Sequence, residues 1–267
     1  MTQFRKLIIV IKGAGEMASA VAWRLYMAHM QKILMLETDN PLAVRREVSF
    51  CEAVHDGDKT VENVEAVRVQ GLSDIYQAWE GGKIAVSPDA QWQLLEKIRP
   101  DLVVDAILAK KNLGTRMPEA DLVIGLGPGF SAGNDVHMVI ETNRGHNLGR
   151  IITAGSAEPN TGIPGNIGGF AEERVLRAPI DGNFMARRSI ADHVKAGDIV
   201  GSVETTEVRT KIGGVIRGLI RSDTAVTQGL KIGDVDPRGQ VSYCGTISDK
   251  ARAVGGSVLE AVLRVYN

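Results

Sequence analysis

Short, near-continuous apolar runs separated by helix-like stretches constrain the first 155 residues more than any other feature. KLIIVI at 6–11 is followed by EMASAVAWRLYMAHM at 16–30, whose apolar spacing fits a helix, and then by KILML at 32–36. KIAVS (83–87), the helical QWQLLEKI (91–98), LVVDAIL (102–108) and DLVIGL (121–126) continue the alternation. Runs that lack an apolar/polar alternation are buried on both faces, the condition of a parallel sheet covered by helices. TVENVEAVRVQ at 60–70 alternates with period two and reads as an edge hairpin. The expectation for this part is an α/β fold with a Rossmann-like parallel sheet.

Between about 155 and 170 the texture changes. SAEPNTGIPGNIGG has four glycines and two prolines and little to bury. It reads either as a linker or as a loop closing over a ligand. The next tract repeats itself at an offset of 32: Ile180, Gly182, Val194, Gly197, Gly201 and Val203 fall on Ile212, Gly214, Val226, Gly229, Gly233 and Val235. Glycines at turns and valines facing inward are what two intertwined β-halves require. The pattern resembles the barrel-sandwich fold of biotinyl and lipoyl domains, whose hairpin tip carries a lysine for the cofactor. In SVETTEV (202–208) that place falls on Glu207, and the nearby Lys211 is four positions past it. No covalent biotin or lipoate is therefore expected, and the β-domain reads as a docking or dimerisation piece. The expected division is 1–170, a nucleotide-binding domain; 171–245, a small β barrel-sandwich; and 246–267, a C-terminal segment helical from about 256.

A formal net charge of −1 favours neither nucleic acid nor an anionic membrane surface as partner. LIIVI at 7–11 is too short to span a bilayer and lacks a secretory cleavage pattern. The two cysteines, Cys51 and Cys244, make no disulfide framework. A cytoplasmic location is expected.

Three stretches carry candidate chemistry. GAGEMA (13–18) gives G-x-G-x-x-A between a strand and a helix. Gly13 permits a tight turn, Gly15 lets a diphosphate approach the helix N-terminus, and Ala18 allows close helix–strand packing. Glu37, ending the second strand, stands where an acid would bind ribose hydroxyls. In GLGPGFSAGNDVHMVIETNRGHNLGR (125–150), Gly127 and Gly129 make a rigid turn at the carboxyl edge of the sheet. If 135–141 is a strand, Asp135, His137 and Glu141 share one face beside that turn. His137 and Glu141 lack a further ligand in register, so no metal is assigned. Cys51, near Arg45 and Arg46, is either an activated thiol or a packing residue. Asp135, His137, Glu141 and Cys51 are the catalytic candidates; whether a reaction is catalysed at all stays open.

Taken together, IKGAGEMASAVAWRL, PLAVRREVSFCEAV, GLGPGFSAGNDVHMVIETNRGHNLG, NTGIPG and KIGDVDPRG…CGTISDKARAVGGSVLEA resemble the selenium-dependent molybdenum hydroxylase accessory family, the YqeB-type proteins of bacteria. The resemblance runs over essentially the whole chain. It implies a maturation factor for such an enzyme, with the hydroxylase as client protein and a small nucleotide ligand, NAD-like or a molybdopterin dinucleotide. A homo-oligomer is compatible with it. An NAD-dependent oxidoreductase of a small substrate and a non-catalytic scaffold are the competing readings.

Overall fold

The computed structural model describes residues 4–162 and 164–266, so Ile163 of the NTGIPG stretch lies outside the described residues. The chain forms two compact units. One comprises residues 1–41, 48–160 and 247–267, the other 42–47 and 161–246. Unlike the contiguous blocks expected from sequence, the segment Leu42–Glu47 belongs with the second unit and the C-terminal helix with the first.

The first unit is built on a nine-stranded sheet. Its strands are β1 (Ile8–Lys12), β2 (Lys32–Glu37), β3 (Asp58–Val61), β4 (Val64–Arg68), β5 (Ile84–Pro88), β6 (Leu102–Asp105), β7 (Leu122–Leu126), β9 (Met138–Ile140) and β10 (Ile151–Ile152), with the short pair β8 (Ser131–Ala132) and β11 (Gly155–Ser156) outside it. Its order is β10-β9-β7-β6-β1-β2-β5-β4-β3. The centre is parallel, but β3–β4 at one edge and β9–β10 at the other pair antiparallel. The β3–β4 hairpin turns on Glu62 and Asn63, both at positive φ, as a two-residue hairpin demands. Helices α1 (Glu16–Met27), α2 (Glu52–Asp56), α3 (Leu72–Glu80), α4 (Gln93–Ile98) and α5 (Asp249–Tyr266) complete the unit. Helix α5 begins at Asp249, well before 256, and runs through Gly255 and Gly256. A Cβ at Gly255 would lie 3.0 Å from the Ala20 carbonyl oxygen, so that glycine lets α5 press against α1.

The second unit contains two four-stranded antiparallel sheets. Their strands are β12 (Val175–Arg177), β13 (Gly182–Ala186), β14 (His193–Val194), β15 (Ile199–Val203), β16 (Thr206–Arg209), β17 (Gly214–Leu219), β18 (Thr224–Val226) and β19 (Lys231–Asp236), in the orders β12-β19-β17-β14 and β16-β15-β13-β18. The sequence repeat maps strand on strand: β13, β14 and β15 correspond to β17, β18 and β19. Each half gives its middle strand to the other's sheet, since β14 pairs with β17 and β18 with β13. Phe184, Val200 and Val203 of one sheet and Ile216, Ile232 and Val235 of the other share one core.

The fold expectation is thereby corrected. The large sheet is mixed, not a Rossmann-like parallel sheet, because short end strands add antiparallel pairs at both edges. The second unit is a pair of antiparallel sheets and not a biotinyl- or lipoyl-like barrel-sandwich. Its β15–β16 hairpin pairs Val203 with Thr206, which puts Glu204 and Thr205 at the tip. Glu207 lies in the returning strand opposite Ser202, ion-paired to Arg209.

Candidate functional site

At the centre of the large sheet β1 lies between β6 and β2, and the chain leaves β1 in one direction and β6 in the other. In open α/β sheets the carboxyl ends at such a divergence leave a crevice for ligands. The turn after β1 fills part of it. Gly13 sits at φ +90°, a conformation that costs a residue with Cβ, and its N–H donates to Leu36 O at 2.7 Å. A Cβ there would also lie 3.3 Å from Ala106 O. The Ala14 N–H donates to Glu37 Oε2 at 2.8 Å, and the Thr38 N–H to Glu37 Oε1 at the same distance. Glu37 thus organises the turn with both oxygens, in place of the free ribose acceptor expected. Gly15 is the N-cap of α1 and no side chain caps it. No heavy atom lies within 4 Å of the position its Cβ would take. The first N–H groups of a helix have no partner inside it, and the open space beside Gly15 adjoins this end of α1. Ala18 is fully buried, as close packing requires.

Directly beneath the turn is a cluster that sequence reading missed. The Lys12 side chain is fully buried, and its ammonium donates to Thr115 Oγ1 and to Glu119 Oε2, each at 2.7 Å. It also stands 3.6 Å from the centroid of the Trp92 ring, in cation–π contact. Thr115 Oγ1 in turn donates to Asp105 Oδ2 at 2.7 Å. Burial pulls the Lys12 ammonium below its ordinary pKa, against the attraction of Glu119 and Asp105. Burial likewise pushes the Asp105 carboxyl up, against the Thr115 hydroxyl and the Ile107 N–H that favour its charged form. Both groups are pushed towards neutrality. One signal for this cluster was present: a lysine at the end of the apolar run LIIVI and an aspartate ending LVVD must each find a partner if those strands are central.

The 125–150 stretch distributes its candidates differently from expectation. The strand runs only from Met138 to Ile140, with a turn before it, so Asp135, His137 and Glu141 do not share a face. Asp135 Oδ2 accepts from the Ser131 N–H at 2.9 Å, closing the local turn. His137 Nδ1 accepts from the Val123 N–H at 3.0 Å, near the start of β7 and away from the carboxyl edge. Glu141 lies at that edge, buried, with Oε1 accepting from the Asn143 N–H at 2.6 Å and Oε2 from the Glu158 N–H at 2.7 Å. It lines an open groove of about 390 Å³ together with Arg150, Thr153, Ser156 and Glu158. At Gly127 a Cβ would collide with the Thr142 side chain, and at Gly129 it would stand 2.6 Å from Lys111 Cα. These two glycines serve close chain packing. Cys51 is 1% exposed, so its thiol is closed to solvent, while the Arg45 guanidinium donates to Tyr243 O and Thr246 O at 2.9 Å. Among the described residues no three His, Cys, Asp or Glu side chains group as metal ligands. No described helix is long and apolar enough to cross a membrane.

Over 260 residues the chain is 48% identical to "Uncharacterized protein YqeB" of Escherichia coli (strain K12), a match covering 97% of this chain and 48% of that protein. The two sequences are homologous over the matched residues. This chain spans about half the length of that curated relative. No family model matches it. Among solved structures, the E. coli tRNA N6-threonylcarbamoyladenosine dehydratase TcdA is 11% identical with a TM-score of 0.28, covering 97% of this chain and 89% of that one. An aspartoacylase family protein from Mesorhizobium loti is 13% identical with a TM-score of 0.26, covering 79% and 58%. At such scores neither structure bears on what this chain does.

Chemically, then, the first unit sets an open space beside Gly15 above a desolvated lysine–carboxyl cluster. The cluster, hydrogen-bonded through Thr115 and Glu119, holds the surrounding loops in place.

Proposed function

We propose that the chain is a bacterial, cytoplasmic accessory factor in the maturation of a selenium-dependent molybdenum hydroxylase, and that its first unit binds a nucleotide-containing ligand at the 13–18 turn. The family resemblance of the long motifs is what supports the pathway; the match to YqeB carries the relationship alone. One observation supports the ligand: the uncapped N-terminus of α1 faces open space at Gly15, at the carboxyl edge where β1 and β6 diverge. A diphosphate placed there would face the first turn of α1 and gain from the helix dipole. An NAD-type molecule and a molybdopterin dinucleotide both present that group. The client hydroxylase is the protein partner.

The pathway is tested by deleting the gene from a bacterium that encodes it and purifying the hydroxylase. The proposal expects hydroxylase protein at normal abundance with its activity and selenium content reduced at least tenfold, and recovery on complementation. Unchanged activity and selenium content would rule the reading out.

A further inference from the structure

Strand β10 pairs with β9 and ends the large sheet, and beside it lies the open groove of about 390 Å³. That volume falls within the roughly 300–1,000 Å³ of small-molecule sites. Buried Glu141 ties together the two chain segments that form the groove. Its Oε1 accepts from the Asn143 N–H at 2.6 Å and its Oε2 from the Glu158 N–H at 2.7 Å. Its own N–H donates to Arg150 O at 3.0 Å, and its carbonyl accepts from the Gly149 N–H at 2.9 Å. The 143–149 turn is fastened in turn to α5. Arg144 pairs with Asp249 at 2.7 Å, and a Cβ at Gly149 would stand 2.7 Å from Ser257 Oγ. The groove is thus pre-formed, so a ligand would spend little on ordering it.

Two opposite charges line this groove without meeting. The Glu158 carboxylate accepts from the side-chain amides of Asn143 at 2.7 Å and Asn147 at 3.0 Å. These neutral donors hold its pKa below the usual carboxylate range, and no cation among the described residues pairs with it. The Arg150 guanidinium makes no hydrogen bond or ion pair among the described residues. A lone exposed arginine or glutamate is ordinary, and two such groups would gain little in water by closing on each other. Here both stand in one groove, together with the hydroxyl residues Thr153 and Ser156 and the partly buried Ile151 and Ile152. A guanidinium fork fits a carboxylate, and a carboxylate accepts from an ammonium. We propose that the groove binds a small zwitterion, an amino acid by class, with its carboxylate on Arg150, its ammonium on Glu158 and its apolar part beside the isoleucines. The site is separate from the 13–18 turn and does not depend on the nucleotide reading.

The test is calorimetric titration of the full chain with the protein L-amino acids, β-alanine and γ-aminobutyrate, each alone, using wild type, Arg150→Ala and Glu158→Gln. Both positions are exposed, and Glu158→Gln keeps the backbone N–H that Glu141 accepts. Far-ultraviolet circular dichroism and thermal unfolding confirm that the variants fold. Expected is saturable binding of at least one probe to wild type, at least tenfold weaker in each variant. The N-acetylated form of that probe, which has lost its ammonium, should bind wild type at least tenfold more weakly as well. If none of the probes binds wild type at millimolar concentration, or if binding survives both substitutions, the proposal is overturned. Weakening in only one variant identifies a ligand of a single charge and overturns the zwitterion.

Discussion

In the second unit the guanidiniums of Arg174, Arg217 and Arg238 share the carboxylates of Asp234 and Asp236, whereas in the first unit the single ammonium of Lys12 is set against Asp105 and Glu119. The carboxylates of Asp234, Asp236 and Asp105 are all buried, yet they respond to burial in opposite ways. At Asp234 desolvation raises the pKa, but Lys231, Arg217 and Arg174 together outweigh it and hold the carboxyl below its usual range. Asp236 follows the same pattern, with Arg238 and Arg217 overcoming desolvation. At Asp105 desolvation wins and the carboxyl is pushed up. The difference lies in the number and kind of donors. Forked guanidiniums meet a carboxylate in several places, while Asp105 receives only a hydroxyl and one backbone N–H. The first cluster staples a β unit; the second is a costly arrangement retained directly under the candidate ligand turn.

The largest expected effect comes from breaking the staple. Asp234→Asn leaves two buried guanidiniums short of a counter-ion and should cost about 3–5 kcal/mol, read by urea unfolding of the chain. Lys12→Met should cost less, about 1–3 kcal/mol, because Glu119 is not fully buried and the Asp105 carboxyl, already pushed up by burial, can take up a proton. Equal losses would erase the contrast between the clusters.

The pH dependence sharpens it further. Asp234 has a folded pKa below its unfolded value of 3.8, so its contribution is present above that value and is lost as pH falls through the folded pKa. The wild-type advantage over Asp234→Asn should therefore shrink below pH 3.8. Asp105 has a folded pKa above 3.8, so the folded state binds the proton more readily in the window above that value and stability falls as pH rises through it. Wild type should accordingly be weaker relative to Asp105→Asn at neutral pH than at pH 3.8. Unfolding of the variants between pH 3 and 7 decides it; slopes of the same sign in the two pairs would contradict the assignment. A smaller effect is expected of Glu37→Ala, which leaves the half-exposed turn without its carboxylate acceptor and should cost about 1 kcal/mol in the same assay.

Local patterns made parts of this molecule legible. The runs that became β1, β2, β5, β6 and β7, the 58–68 hairpin and the 32-residue repeat all declared themselves through burial or turn chemistry within a few residues. The edge strand β10 did not, being two residues long, and it is β10 that adds the antiparallel pair beyond β9. The aligned face of Asp135, His137 and Glu141 failed because the turn at 133–135 breaks the period of two. Gly255 and Gly256 hid the first turns of α5, since only the contact with α1 explains a glycine inside a helix. The Lys12 cluster joins residues about a hundred positions apart, which no local period can show.

The central claim is that the open helix end at Gly15 holds a nucleotide. Gly15 is at φ −70°, which any residue adopts, and nothing lies near its Cβ position, so Gly15→Val should fold with nearly wild-type stability. The added side chain would occupy the space that a diphosphate needs. Titrating wild type and Gly15→Val with NAD, ATP and a molybdopterin dinucleotide tests this in one experiment. The account predicts saturable binding of at least one of them to wild type and none to the folded variant; binding that survives the substitution, or no binding to wild type at millimolar concentration, would contradict it.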